Sequence, residues 1–186
     1  MTDTTEAPII SRQDIAEAII AATREVFSTM LGLEIESGET LVEKEATSAQ
    51  SAGVISLIGL TGPWVGTGSV ACSAEFACKM SSRMLMAEYE AINEDVLDAV
   101  AEITNMIVGN VKTALEEKLG PLGLSTPTVI FGRNFQTRSA RIHEWTVVPF
   151  SSGEGKLHIQ MCLAPNRDCG ATGLRPGFQF PQVLSI

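Results

Sequence analysis

The sequence predicts an α+β fold made of two copies of one unit, a helix followed by three strands. The strands merge into a six-stranded sheet covered by the helices. Three observations carry that expectation. Helical periodicity opens each half of the chain, over 15–30 and again over 96–115. Each helical run is followed by β-like segments punctuated by Gly and Pro. Sliding the first helix by roughly 88 residues places Leu31-Gly32 on Leu119-Gly120, a repeat weak in residues but consistent in element order.

Composition agrees with one domain. The chain has 186 residues, 45% of them hydrophobic and 19% charged, enough for a full core and too apolar for wholesale disorder. The net charge of −9 comes with no Lys/Arg cluster, which argues against binding a phosphate backbone. Such an acidic surface suits a partner with a basic or mixed patch. Cys72, Cys78, Cys162 and Cys169 form no CxxC unit, and only His143 and His158 could join them, so a zinc site is poorly supported. Reduced, mostly buried thiols are expected.

The elements follow in order. Residues 1–10 read as a flexible leader with neither a basic nor an apolar signal region, so a cytoplasmic protein is expected. Ser11 with Asp14 three residues on marks a helix start, a weak form of the capping box. Ile15, Ile19, Ala22, Val26 and Met30 then recur at helical spacing until Gly32. Strand-like segments follow at 40–46, 52–60 and 65–73. The stretch Ala46 to Ala74 is uncharged over roughly 29 residues, the length of a membrane span. Its glycines and the Thr61-Gly62-Pro63 break divide it instead into two strands, and no membrane insertion is expected. Ser73 caps a short helix through Met86, with Phe76, Met80 and Met84 on one face; Met80, Met84 and Met86 read as adaptable core filling.

The strongest helix begins at Asn93. Asn93 caps it, Glu94 and Asp95 oppose the helix dipole, and Gly120-Pro121 ends it. Strands return at 127–132, 140–149 and 155–164, with Ser151 to Gly155 as a hairpin loop, and 165–186 reads as an irregular tail. His143 and His158 fall on neighbouring strands as sheet-face residues, and Trp64 and Trp145 as packing.

On a helical wheel, Val96, Val100, Ile103, Ile107, Val111 and Ala114 form one apolar face, widened by Leu97, Thr104, Val108 and Leu115. Opposite runs a narrow stripe of Asp98, Glu102, Asn105, Gly109, Lys112 and Glu116. Glu102 and Asn105, one turn apart, project to the same side. A glycine inside a helix costs about 1 kcal/mol against Ala, so Gly109 suggests that something approaches the backbone closely there.

The segment from Asp98 through Glu102, Asn105, Gly109 and Asn110 to Thr113 resembles the active-site helix of the CheC/CheX/FliY chemotaxis phosphatases. That helix has the form E-x-x-N-x-x-x-G-N. The run Val26 to Gly32 looks like the end of the first helix of the CheX branch, and the resemblance covers roughly residues 12 to 164, within an expected single domain of 11–164. It implies hydrolysis of the aspartyl phosphate of a CheY-like response regulator. Asn105 would orient the attacking water and Glu102 would dock the regulator through its active-site Lys, with Asp98, Gly109 and Lys112 lining the contact. The Mg²⁺ would belong to the regulator, leaving this chain no cofactor of its own. Two-site members repeat the motif on the first helix; here Asp14 and Glu17 stand at the matching places, with no Asn, so a single site is expected, as in the CheX branch. The alternative on the same fold is a non-catalytic module that docks a receiver domain or another signalling partner. A purely structural domain would leave the stripe unexplained. A homodimer paired through sheet edges is also expected.

Overall fold

The structure, a computed structural model, describes residues 10–43, 53–132, 136–138, 144–166 and 182–184. The leader up to residue 9, His143 and Cys169 lie outside the described residues, as does most of the 165–186 segment. Three helices and ten strands are described: α1 (Arg12–Val26), β1 (Glu36–Ser37), β2 (Leu41–Glu43), β3 (Gly53–Thr61), β4 (Trp64–Ser73), α2 (Ala74–Leu85), α3 (Glu94–Leu119), β5 (Gly123–Leu124), β6 (Thr128–Gly132), β7 (Gln136–Arg138), β8 (Trp145–Ser152), β9 (Gly155–Pro165) and β10 (Gln182–Leu184).

The main sheet runs β1-β8-β9-β4-β3-β5, with β2 also on β8 and β6 also on β3. Six strand positions thus hold eight segments, because each outer position is shared by two short strands. The two-residue strands β1 and β5 are too short to show a period of two, so they are invisible to sequence periodicity. The repeats interlock: the first strands of each half lie against the hairpin of the other half, and the two hairpins join where β4 pairs with β9. In the segment expected to be an irregular tail, β10 pairs antiparallel with β7.

All three helices cover one face. Alternate strand residues Ile58, Leu60, Val70, Val148, Phe150, Leu157, Ile159 and Met161 join the inward residues of α1 and α3 in a single core. Residues of the opposite parity, including Ile55, Leu57, Trp145, Val147 and Cys162, are buried on the other face. Both tryptophans pack, as expected. Cys72, Cys78 and Cys162 are unpaired thiols, and burial raises all three, Cys162 to about 11.

Local chemistry explains the helix boundaries. At α1 the capping box is complete: the Asp14 backbone N–H donates to the Ser11 hydroxyl oxygen, and the Asp14 carboxylate accepts the Ser11 N–H at 2.9 Å. Asn93 accepts the Val96 N–H at 3.0 Å, and Gly120 ends α3 at φ 78°, where a side chain would be strained.

Four expectations need correction. Met30 is 46% exposed, because residues 27–31 form a wider π turn that carries it outward and brings Phe27 and Leu31 into the core. Met86 is 94% exposed at the left-handed C-cap of α2, so it fills no core. Ala114, assigned to the apolar face of α3, is exposed at its margin. The Ser151 to Gly155 loop is tighter than expected, a two-residue turn at Gly153-Glu154 between the paired Ser152 and Gly155.

The seat of α3 is set by a glycine. A Cβ on Gly68 would stand 2.9 and 3.0 Å from the two Val108 methyl carbons, so a side chain in β4 would push the helix off the sheet. Val96, Val100, Ile103, Ile107, Val108, Val111 and Leu115 are all buried beneath it. Thr104 shares that face because its hydroxyl donates to the Val100 carbonyl at 2.8 Å.

Candidate functional site

With its apolar side committed to the sheet, α3 turns the predicted stripe away from the core. The stripe is not uniform. Asp98 and Glu102 are exposed, whereas Asn105, Gly109, Lys112 and Glu116 are half-buried. At Gly109 the neighbour is β5. Gly120-Pro121 reverses the chain, which returns along the flank of the helix until Leu124 lies beside Gly109; a Cβ on Gly109 would sit 3.9 Å from the Leu124 Cδ1. This corrects the expectation that Gly109 lies on an open face. A neighbour from the same chain already occupies one side of it.

Glu102 and Asn105 make no side-chain hydrogen bond with any other described residue. Their carboxylate and carboxamide are therefore available to a partner, and the amide offers both a donor and an acceptor. Lys112 behaves differently. Its ammonium donates to Glu116 at 2.7 Å within a half-buried pair, and the same Glu116 oxygen accepts the Leu122 N–H at 2.8 Å. These contacts, Lys112 ahead of Leu122, hold the Glu116 carboxyl below its ordinary range. Asn110 turns to the other flank and donates to Glu25 of α1 at 3.4 Å.

The matching places on α1 are occupied by internal contacts. Asp14 accepts from Ser11 and, across the helix pair, from Lys118 at 2.6 Å; the Lys118 ammonium above all holds its carboxyl far below the usual carboxylate range. Glu17 accepts from Gln13 at 2.9 Å. Sequence reasoning missed Leu124 and the Glu116 clamp at the α3 site. The Lys112/Glu116 spacing was a visible signal for the pair, but nothing local announced that Leu122 and Leu124 return to the helix.

Interlocked α+β repeats, with a long helix presenting an open Glu-x-x-Asn pair, define the class of this molecule. Residues 54–151 match the family model described as chemotaxis phosphatase CheX, and the chain belongs to that family. It is 28% identical over 149 residues to the CheY-P phosphatase CheX of Thermotoga maritima, a match spanning 79% of this chain and 95% of that protein. Among solved structures it resembles a chemotaxis protein CheX from Desulfovibrio desulfuricans, with a TM-score of 0.73 and 30% identity over 81% of this chain and 99% of that one. It also resembles a CheX–CheY–BeF3–Mg²⁺ complex from Borrelia burgdorferi, with a TM-score of 0.65 and 27% identity over 79% and 96% of the two chains.

Proposed function

We propose that this chain is a phosphatase that hydrolyses the aspartyl phosphate of a CheY-like response regulator. The observation that carries the reading is the pair of Glu102 and Asn105, one turn apart on the outward flank of α3 and bonded to no other described residue. An acyl phosphate is already reactive, so catalysis is mostly the placing of a water for in-line attack. Asn105 is suited to that task because its carboxamide can bind water without any change of protonation. Glu102 docks the regulator by pairing with a cationic side chain at the regulator's own site, and Asp98 extends the contact. The Mg²⁺ resides with the regulator, where it neutralises phosphoryl charge. Residues 11–164 form the domain that does this, in the cytoplasm. Among the described residues no helix is long and apolar enough to cross a membrane.

The experiment is phosphate release from a panel of phosphorylated receiver domains of the same genome. Acceleration of at least one receiver's dephosphorylation by the full chain is the expected result. Tight binding of a receiver without acceleration would instead make the chain a docking module.

Homodimer formation through the sheet edges is part of the proposal. It is supported by Leu41 and Val42 on β2 and Phe131 on β6, large apolar side chains exposed on the two outer positions of the sheet. Sedimentation at micromolar concentration should show twice the 19.8 kDa chain mass; a monomer throughout would remove this part.

A further inference from the structure

The reversal after α3 is anchored at both ends. At the helix end, one Glu116 oxygen accepts both the Lys112 ammonium and the Leu122 N–H. At the sheet end, the Ser125 N–H donates to the Gly59 carbonyl at 2.9 Å, and the Ser125 hydroxyl oxygen accepts the Gly59 N–H at 2.9 Å. Gly123 and Leu124 lie between these anchors, paired with Thr61 and Leu60 of β3, and Leu124 stands against Gly109, one helical turn from Asn105. Leu124 packs partly on the core and leaves the rest of its side chain accessible. Gly109 leaves room for it, since a bulkier residue would meet the leucine methyl.

We infer that Glu116 is a positioning residue for receiver docking: with Lys112 it fixes Leu124 as an apolar shoulder against which the receiver domain seats when it covers Glu102 and Asn105. This inference rests on the phosphatase reading above. A stripe of exposed polar groups gains little on docking, because each contact replaces one already made with water. A fixed apolar side chain beside the stripe adds area that loses water on contact, the usual core of an energetic interface. Rigidity matters as much as area, because a leucine that must be ordered on binding returns less affinity.

The test uses the full chain and a CheY-like receiver domain in two forms, aspartyl-phosphorylated for turnover and loaded with beryllofluoride and Mg²⁺ for affinity. Leu124→Ser and Glu116→Ala should each raise KM about fivefold or more while kcat stays within about twofold. Affinity for the beryllofluoride form should fall by the same factor. Glu116→Gln should restore KM most of the way, because its amide oxygen still accepts the Leu122 N–H. If Glu116→Ala does not fold, Leu124→Ser, checked by thermal unfolding, decides the matter alone. Unchanged KM and affinity in folded Leu124→Ser would overturn the inference, as would a loss of kcat at constant KM. Wild-type turnover in Asn105→Ala would instead contradict the catalytic reading, while leaving the shoulder to be judged by the affinities.

Discussion

Helices α1 and α3 open the two halves of the chain and carry polar side chains at corresponding places, Asp14 and Glu17 on one, Glu102 and Asn105 on the other. On α1 those groups are engaged. Asp14 closes the capping box and bridges to Lys118, Glu17 holds Gln13, and Glu25 receives Asn110 from the facing helix. On α3, Glu102 and Asn105 hold no other described residue. The contrast is one of engaged and open side chains on a duplicated scaffold. A carboxylate with an internal partner must lose that partner before it can meet another molecule, whereas an open one gives up only water. Under the proposed function, the first copy would stabilise the helix pair and the second would meet the regulator.

The comparison breaks most visibly at Asn105. Asn105→Ala should reduce phosphate release on the order of a hundredfold with an unchanged melting curve, because only water positioning is removed. Glu17→Ala on the other helix should leave turnover within about twofold of wild type, since the same loss there touches no reacting atom. Equal losses in the two variants would erase the distinction.

Next in size is the seat of α3. Gly68→Ala places a methyl group against both Val108 methyls and should destabilise the protein by about 1–3 kcal/mol, read from the urea midpoint. The equivalent pressure on α1 is absent from this site, so the loss should fall on the helix that carries the candidate site, and turnover should fall with it.

Asp14 sharpens the comparison through pH. Its carboxyl is held below its ordinary value of 3.8, mainly by the Lys118 ammonium and then by Ser11. A depressed folded-state pKa means that the unfolded chain binds the proton more tightly, so stability rises with pH across that range. Wild type should therefore exceed Asp14→Asn in stability near neutrality. The gap should close progressively as the pH falls below about 4, the unfolded carboxyl's range. Thermal unfolding of both proteins along a pH series checks this, and a gap independent of pH would deny the Lys118 bridge its role.

The smallest effect is expected at Gly109. A Cβ there meets the Leu124 methyl at 3.9 Å, an ordinary contact. Gly109→Ala should therefore stabilise α3 by up to about 1 kcal/mol and leave turnover intact. Gly109→Leu has no such room and should displace Leu124, raising KM.

Much of this was legible in the residues because the relevant chemistry is local. Asn93 and Gly120 bound α3, and Ser73 starts α2, through capping bonds that span only a few positions. The apolar wheel of α3 is similarly local, apart from Ala114 at its margin. What was hidden depends on distant partners. The interlocking of the repeats is decided by which strand pairs with which hairpin, and periodicity within a strand is silent about that. The π turn that exposes Met30 has no compositional mark; it sets Phe27 beside Phe76 from a distant helix, with ring centroids 6.4 Å apart. At the candidate site, the Glu102/Asn105 spacing was readable, but the half-burial of Gly109 beneath Leu124 required the return of the chain after Pro121. Asp14 was visible as a cap; its bond to Lys118 was not.

The claim that α3 meets the regulator and α1 does not is open to one direct measurement. Amide resonances of the full chain would be followed as a CheY-like receiver domain loaded with beryllofluoride and Mg²⁺ is added. Perturbations should concentrate at Asp98 to Lys112 and at Leu122 to Ser125, with the exposed side of α1 from Glu17 to Arg24 unmoved. Perturbations centred on that side of α1, with Glu102 and Asn105 unaffected, would contradict it.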